Sequence, residues 1–410
     1  MEALSIEEIA RAVEGRVLSG DETIAITYVG TNSKVQEANG LFVPIVGEKT
    51  DGHKFILDAF ANGAVACFTD RELDYREGKA YIGVENTLKA LQDLGSYYRN
   101  KFNIPVIGIT GSVGKTTTKE MVAAALETKY NVLKTEGNMN SQVGLPLMML
   151  KLNKEHEIAV IEMGISEEGE MEKLAKIARP ETAIVTNIGV SHIAQLKTRE
   201  NIRKEKMNII NEFKEGSTLF LNGNDDLLSE IKPGIDLDLK PLTKESLIKS
   251  EIITFGADTS CDYKAVDITS SLGSTHFTLS HTREEITLSV LGLHNVYNAL
   301  AALAVAKHYN IPVSIAKEGL RNYQPIAMRG QILEINQMKI IDDFYNASPD
   351  SMKSGVQVLM ELDGVNRRIA VLADIKELGE ISHQSHYEVG VFLSEQPVDG
   401  VITIGEEAFV

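Results

Sequence analysis

A chain of 410 residues with 43% hydrophobic and 24% charged residues has the composition of an ordinary soluble globular protein, long enough for roughly two to four domains. Its net charge of −17 argues against a general nucleic-acid or membrane-surface binder, so an anionic ligand must be met by local Lys, Arg, helix N-termini or Mg²⁺. Cys67 and Cys261 are far apart and form neither a disulfide framework nor a zinc site; with no signal-peptide start and no membrane-length apolar run, the expectation is a cytoplasmic protein without a membrane span.

The chain opens with Ser5-Ile6-Glu7-Glu8, which reads as a capping box, and Ile6, Ile9, Ala10 and Val13 follow at helical spacing. Strands are expected at 23–29, 41–46, 64–68 and 80–84, with helices at 56–61 and 87–101. This predicts a small α/β domain over residues 1–103. Its polar turns, Thr31-Asn32-Ser33-Lys34 and Lys49-Thr50-Asp51-Gly52-His53, face either ligand or solvent.

Residues 104–325 alternate strands and helices, which predicts a parallel sheet covered on both faces, with ligands outside the carboxyl ends of its strands. The first strand, 106–109, runs into Thr110-Gly111-Ser112-Val113-Gly114-Lys115-Thr116-Thr117-Thr118. Beyond it Met121, Val122, Ala125 and Leu126 share a helix face. Strand, glycine-bearing turn, Lys-Thr and helix are the layout of a phosphate-binding loop. Backbone N–H groups point at the anion, Lys115 meets the terminal phosphates, and the Thr116 hydroxyl can ligate Mg²⁺. The usual pattern has a glycine where Ile109 stands, so context decides against an ordinary glycine turn. Apolar runs at 158–163 and 183–185 read as buried parallel strands, and 250–291 as an antiparallel β insertion.

Residues 326–410 form a third α/β unit with strands at 339–341, 369–372 and 400–404 and helices at 352–361 and 384–393. Ser348-Pro349 supplies a cap and a first helical residue. The final strand has no return crossover, which predicts an incomplete last domain.

Several residues close predicted strands or sit at junctions. Glu162 ends a buried run beside the loop, where a carboxylate can hold Mg²⁺ or stand solvated. His192 follows another strand and suits a metal ligand, a base or a structural histidine. By charge alone Lys206, in the basic stretch 199–206, is part of a solvated helix face. Asn295 and Asn298 share a face at a helix start, fit either for base or ribose recognition or for capping. Arg329 lies at the second junction, and Asp343, Tyr345 and Asn346 follow the strand at 339–341.

Together these motifs resemble the Mur ligases of peptidoglycan synthesis over essentially the whole chain. Thr110 to Thr116 is similar to that family's Thr-Gly-(Ser/Thr)-x-Gly-Lys-Thr loop, which lacks the first glycine. Thr135 to Asn140 with Gly144 to Leu147 resembles its substrate-side loop; Glu162-Met163-Gly164 and Thr186-Asn187-Ile188-Gly189 with His192 resemble its metal-binding strands. Asp343 to Pro349 looks like the segment of the member that adds D-alanyl-D-alanine, and Glu377-Leu378-Gly379 and His386 continue that pattern. The resemblance implies an amino-terminal UDP-binding domain, a central ATPase and a carboxyl-terminal Rossmann-like domain that closes over the site. It implies ATP and Mg²⁺ as cofactors, Lys206 carbamylated by CO₂, and metal held by Thr116, Glu162, His192 and Lys206. It places Asn295, Asn298 and Asp343 on the nucleoside and Arg329 on the phosphate. It assigns Ser33, Lys34, Asn138, Asn140, Tyr345 and Asn346 to the substrates, a UDP-N-acetylmuramoyl-tripeptide and D-alanyl-D-alanine, in a monomer. The chain departs from the family at Asn32 and Lys34, where Asp and Arg are usual, at Ser141 and Ser348, where asparagine is usual, and in having no lysine–glycine–serine segment.

Overall fold

The structure, a computed structural model, describes residues 1–232, 235, 237–258 and 260–409. Three α/β units follow one another, each built on its own sheet or sheets.

The central unit carries a nine-stranded sheet. From edge to edge it runs Glu285–Leu288, Ser274–Leu279, Tyr263–Ser271, Glu251–Gly256, Thr218–Asn222, Thr182–Val185, Val106–Thr110, Ile158–Glu162 and Val132–Lys134. Val106–Thr110 and Ile158–Glu162 are buried throughout, as parallel strands covered on both faces must be. On one face lies helix Lys115–Leu126, which buries Met121, Val122, Ala125 and Leu126 with Ile107 and Ile109. Beside it lies Leu293–His308, whose small alanines let its backbone approach closely. The expected antiparallel insertion at 250–291 is corrected. Glu251–Gly256 and Tyr263–Ser271 continue the main sheet in parallel, and only the next two strands run antiparallel. Residue alternation reports a strand with two unlike faces; it does not report the direction of its partner.

In the amino-terminal unit a five-stranded sheet has the order Arg16–Ser19, Ala80–Gly83, Ala64–Thr69, Gly40–Phe42, Tyr28–Gly30. The run expected at 23–29 divides: Ala25–Ile26 pairs with Leu4–Ser5, and Tyr28–Gly30 joins the larger sheet. The strand expected at 41–46 stops at Phe42, two residues before Pro44, which has no N–H for the ladder. The capping box is half made. Ser5 Oγ accepts from Glu8 N at 3.1 Å, but the Glu8 carboxylate turns to the Tyr97 hydroxyl and the Lys101 ammonium. Helix Thr87–Arg99 joins this unit to the centre. Gly95 lies where a Cβ would press into Pro146, and Arg99 Nε donates to the Ala178 carbonyl.

The carboxyl-terminal unit starts with a hairpin of Gln331–Ile335 and Met338–Asp342, then helix Pro349–Glu361, and then strands Ile369–Ala373 and Gly400–Ile404 paired in parallel around helix Ser382–Ser394. Ser348 caps the first helix through Ser351, so the helix starts at the proline and not at 352.

Candidate active site

The phosphate loop leaves Val106–Thr110 through Gly111 at φ 151° and enters helix Lys115–Leu126 through Gly114 at φ 83°. Both conformations favour glycine. A Cβ on Gly111 would also overlap the Thr186 hydroxyl. The loop is pinned from the neighbouring strand end. Asn187 Oδ1 accepts from Ser112 N and Val113 N at 3.0 and 2.8 Å, and the Thr186 hydroxyl donates to the Val113 carbonyl at 2.6 Å. Lys115 Nζ donates to the carbonyl oxygens of Gly111, at 2.8 Å, and Ser112, at 3.3 Å. Burial pulls the Lys115 pKa down, and the Glu162 carboxylate opposes that shift.

Glu162 ends the strand next to the loop and is 2% exposed. Its Oε1 accepts from Asn140 Nδ2 at 2.7 Å, while its Oε2 is buried with no hydrogen-bond partner. An orphaned carboxylate oxygen in the interior is costly unless a cation faces it. Thr116, the second residue of the loop's helix, lines the adjoining cavity. Among the described residues no cluster of His, Cys, Asp and Glu forms a metal cage. A Mg²⁺ ion takes one or two protein oxygens and completes its shell with phosphate oxygens and water.

Lys206 is not on a solvated face: it is 1% exposed and donates from Nζ to the Gly111 carbonyl at 3.0 Å. Burial and the neighbouring Lys115 hold its pKa well below that of a free lysine. His192 caps the short helix Ile193–Leu196 at φ 64°, with Nδ1 2.5 Å from Glu377 Oε2 of the carboxyl-terminal unit. Burial lowers the His192 pKa, with Glu377 opposing and the charges of Lys206 and Lys115 adding to the fall.

A cavity of about 150 Å³ lies beside the loop, walled by Gly114 and Thr116 on one side and Arg329, Asp343 and Asn346 on the other. Asn295 and Asn298 form its floor. Asn298 Oδ1 accepts from the Thr118 hydroxyl at 2.9 Å and its Nδ2 reaches Asn295 Oδ1 at 3.3 Å, while Asn295 Nδ2 donates to the Leu291 carbonyl. The Arg329 guanidinium stacks over the Tyr345 ring at 4.1 Å. Desolvation by the surrounding protein pushes the Asp343 carboxyl up to about 6, with Arg329 pulling the other way.

The structure thus brings together Lys115, Glu162, Lys206 and Asn140 around the loop, and Asn295, Asn298, Arg329 and Asp343 around the cavity. Asn138 is exposed on the loop that carries Asn140. Ser33, buried, and Lys34, exposed, stay in the amino-terminal unit. Two residues entered the sequence reading only as members of family-like motifs, with no role of their own. Asn187 had a usable signal, since it closes an apolar run beside the loop. Glu377 had none in its spacing, because the histidine it meets belongs to another unit.

Known proteins carry the same order of parts. Residues 25–99 match the Mur ligase family, catalytic domain; residues 109–306 match the Mur ligase middle domain; residues 328–409 match the Mur ligase, glutamate ligase domain. The UDP-N-acetylmuramoyl-tripeptide--D-alanyl-D-alanine ligase of Bacillus subtilis (strain 168) is 38% identical over 405 residues, which is 98% of this chain and 85% of that protein. A crystal structure of MurF from Acinetobacter baumannii superposes with a TM-score of 0.90 at 32% identity, covering 100% of this chain and 87% of that one. MurF ligase from Thermotoga maritima, solved in complex with ADP, gives 0.81 at 32% identity over 93% and 85%. With one Mur ligase match in each of its units, and a relative alike along nearly its whole length, the chain belongs to the Mur ligase family.

Proposed function

We propose that this chain is an ATP-dependent amide ligase of peptidoglycan synthesis, joining D-alanyl-D-alanine to the terminal carboxylate of a UDP-N-acetylmuramoyl-tripeptide. Its relatives of nearly equal length carry that activity in their names, and this supports the choice of substrates. The observation that carries the chemistry is the convergence of Lys115, Lys206 and the unpartnered Glu162 oxygen on one phosphate loop that faces a second unit across a cavity.

In this reading residues 1–103 hold the UDP moiety, with Ser33 and Lys34 on it. Residues 104–325 hold ATP, and residues 326–410 close over both. Asn295, Asn298 and Asp343 seat the nucleoside, and Asn138, Asn140, Tyr345 and Asn346 face the peptide. A carboxylate oxygen of the tripeptide attacks the γ-phosphorus and ADP leaves, giving an acyl phosphate. The amine of D-alanyl-D-alanine then attacks the acyl carbon, a proton is lost, and phosphate leaves. Lys115 and Arg329 meet the charge spread over the transferring phosphoryl oxygens. Thr116 and Glu162 would hold one Mg²⁺, and His192 with Lys206 would help hold a second, and the two ions would further neutralise that charge. Lys206 joins that set as a carbamate: its neutral amine adds to CO₂ and releases a proton, and the cation becomes an anion. The low pKa that burial gives this amine supports that step. The protein works as a cytoplasmic monomer; among the described residues no helix is long and apolar enough to cross a membrane.

The acyl phosphate is tested by isotope transfer. Tripeptide labelled with heavy oxygen in its terminal carboxylate is expected to yield labelled phosphate. Unlabelled phosphate alongside ADP means that water took the phosphoryl group, and the ligase reading falls.

A further inference from the structure

A lysine is buried one turn beyond Lys115, in the helix that the phosphate loop opens. Lys119 is 1% exposed and shares a side of that helix with Lys115. A lysine is almost never fully buried without a partner. The Lys119 ammonium has two: it donates to the Thr135 carbonyl at 2.6 Å and pairs with the Glu120 carboxylate at 2.6 Å. Glu120 reaches on to Lys134 at 3.0 Å. Lys134 ends the edge strand Val132–Lys134, and Thr135 starts the loop that leaves it.

Thr135 is itself buried and held at three points. Its N–H donates to the Val160 carbonyl at 3.1 Å, its hydroxyl accepts from Glu162 N at 2.9 Å, and its carbonyl takes the Lys119 ammonium. At the other end of the loop Asn140 Nδ2 donates to Glu162 Oε1 at 2.7 Å, and the Asn140 carbonyl accepts from Gly164 N at 2.9 Å. Both roots of loop 135–140 therefore rest on the strand end that carries Glu162, and Lys119 ties the first root to the helix of the phosphate loop. Glu136, Gly137 and Asn138, between the roots, are exposed.

We propose that Lys119 is a positioning residue: it fixes the root of loop 135–140 on the phosphate-loop helix, so that the loop meets the peptide substrate in register with the nucleotide. Its two partners divide the work. The Glu120 carboxylate offsets the buried charge, and the Thr135 carbonyl receives a directed, charge-assisted hydrogen bond, stronger than a neutral one. That the loop meets the peptide rests on the ligase reading; the tether is a property of the unliganded chain.

The test compares the full chain with Lys119→Met and with Lys119→Met combined with Glu120→Gln. Methionine keeps an unbranched stem and removes the donor. The glutamine takes away the carboxylate charge that has lost its lysine, so the melting temperature is expected to fall in the first variant and to recover in the second. The second also carries every other reading where the first is too unstable to hold its fold. Amide hydrogen exchange, followed by mass spectrometry, is expected to quicken about 10-fold or more in peptides spanning 135–140 and 162–164 in both variants. In turnover the KM for the UDP-linked tripeptide is expected to rise about 10-fold in both, with the affinity for ADP within about twofold of the wild type. Leu126→Ala, a change to a buried residue of the same helix, is expected to lower the melting temperature and leave loop exchange and KM unchanged. Loop exchange unchanged from the wild type, a KM that recovers together with the melting temperature, or an ADP affinity that falls as far as KM rises overturns the proposal. If exchange quickens as expected and no substrate pair gives phosphate, the tether stands and the ligase reading fails.

Discussion

Lys115 and Lys206 direct their amino groups at one acceptor, the carbonyl oxygen of Gly111, at 2.8 and 3.0 Å. Two ammonium ions this close and this buried repel each other, and Lys206 bears the larger consequence: its pKa is driven well below normal by burial, then by Lys115. A neutral amine is the form that adds to CO₂, and the carbamate it forms would turn repulsion by Lys115 into attraction.

Lys206→Ala is therefore expected to slow phosphate release by about 100-fold or more. Added acetate or formate is expected to restore part of the rate by standing in for the lost carbamate. A variant with full activity contradicts the role given to Lys206.

Glu162→Gln keeps the shape of the side chain and its bond from Asn140, but removes a buried charge whose second oxygen has no partner. Turnover should fall about 100-fold while the melting temperature holds or rises, because a site built for a cation is strained without one. Calorimetry beside a phosphate assay checks both halves. A large loss of thermal stability would mark Glu162 as a structural residue.

Asn298→Ala strips the Thr118 hydroxyl, which is fully buried, of its acceptor. The expected cost is about 1–3 kcal/mol of stability, with a raised KM for ATP. Adding Thr118→Val should recover part of the stability, since the orphaned hydroxyl goes with it. A double-mutant cycle in denaturant gives the coupling, and strictly additive losses would refute it.

Asp343 supplies the pH dependence. Desolvation by neighbouring protein atoms, opposed by Arg329, raises its carboxyl to about 6 in the fold, against about 3.9 in an unfolded chain. Between those values the folded state binds more protons, so its contribution to stability falls as pH rises through the window. Asp343→Asn should thus melt above the wild type at pH values beyond 6, and the gap should close on acidification towards 4. Melting curves across that range decide it; a gap that widens towards acid has the wrong sign.

Much of this site was legible along the chain. The phosphate loop could be read because strand, turn and helix are local, and residues 106–126 carry all of them. Glu162 could be singled out because a carboxylate closes an apolar run beside the loop, although that position alone also allowed a solvated strand-end acid. Lys206 could not be read from charge. Its helix looks solvated by composition, yet Arg203, Glu205 and Lys206 are all buried, because Arg203 reaches Leu227 and Glu230, Glu205 accepts from Met171 N, and Lys206 reaches the Gly111 carbonyl. Burial of that kind depends on packing between distant segments. The same limit hid the approach of Glu377 to His192 across two units, and the direction of the strands after Glu251.

The central claim is settled most directly by a substrate panel. Purified protein is given ATP, Mg²⁺, bicarbonate and UDP-N-acetylmuramoyl-tripeptide, with D-alanyl-D-alanine, single amino acids or no acceptor, and phosphate release and product mass are followed together. The account predicts phosphate release that depends on D-alanyl-D-alanine and a UDP product heavier by that dipeptide. Release without an acceptor, or a product extended by a single amino acid instead, would contradict it.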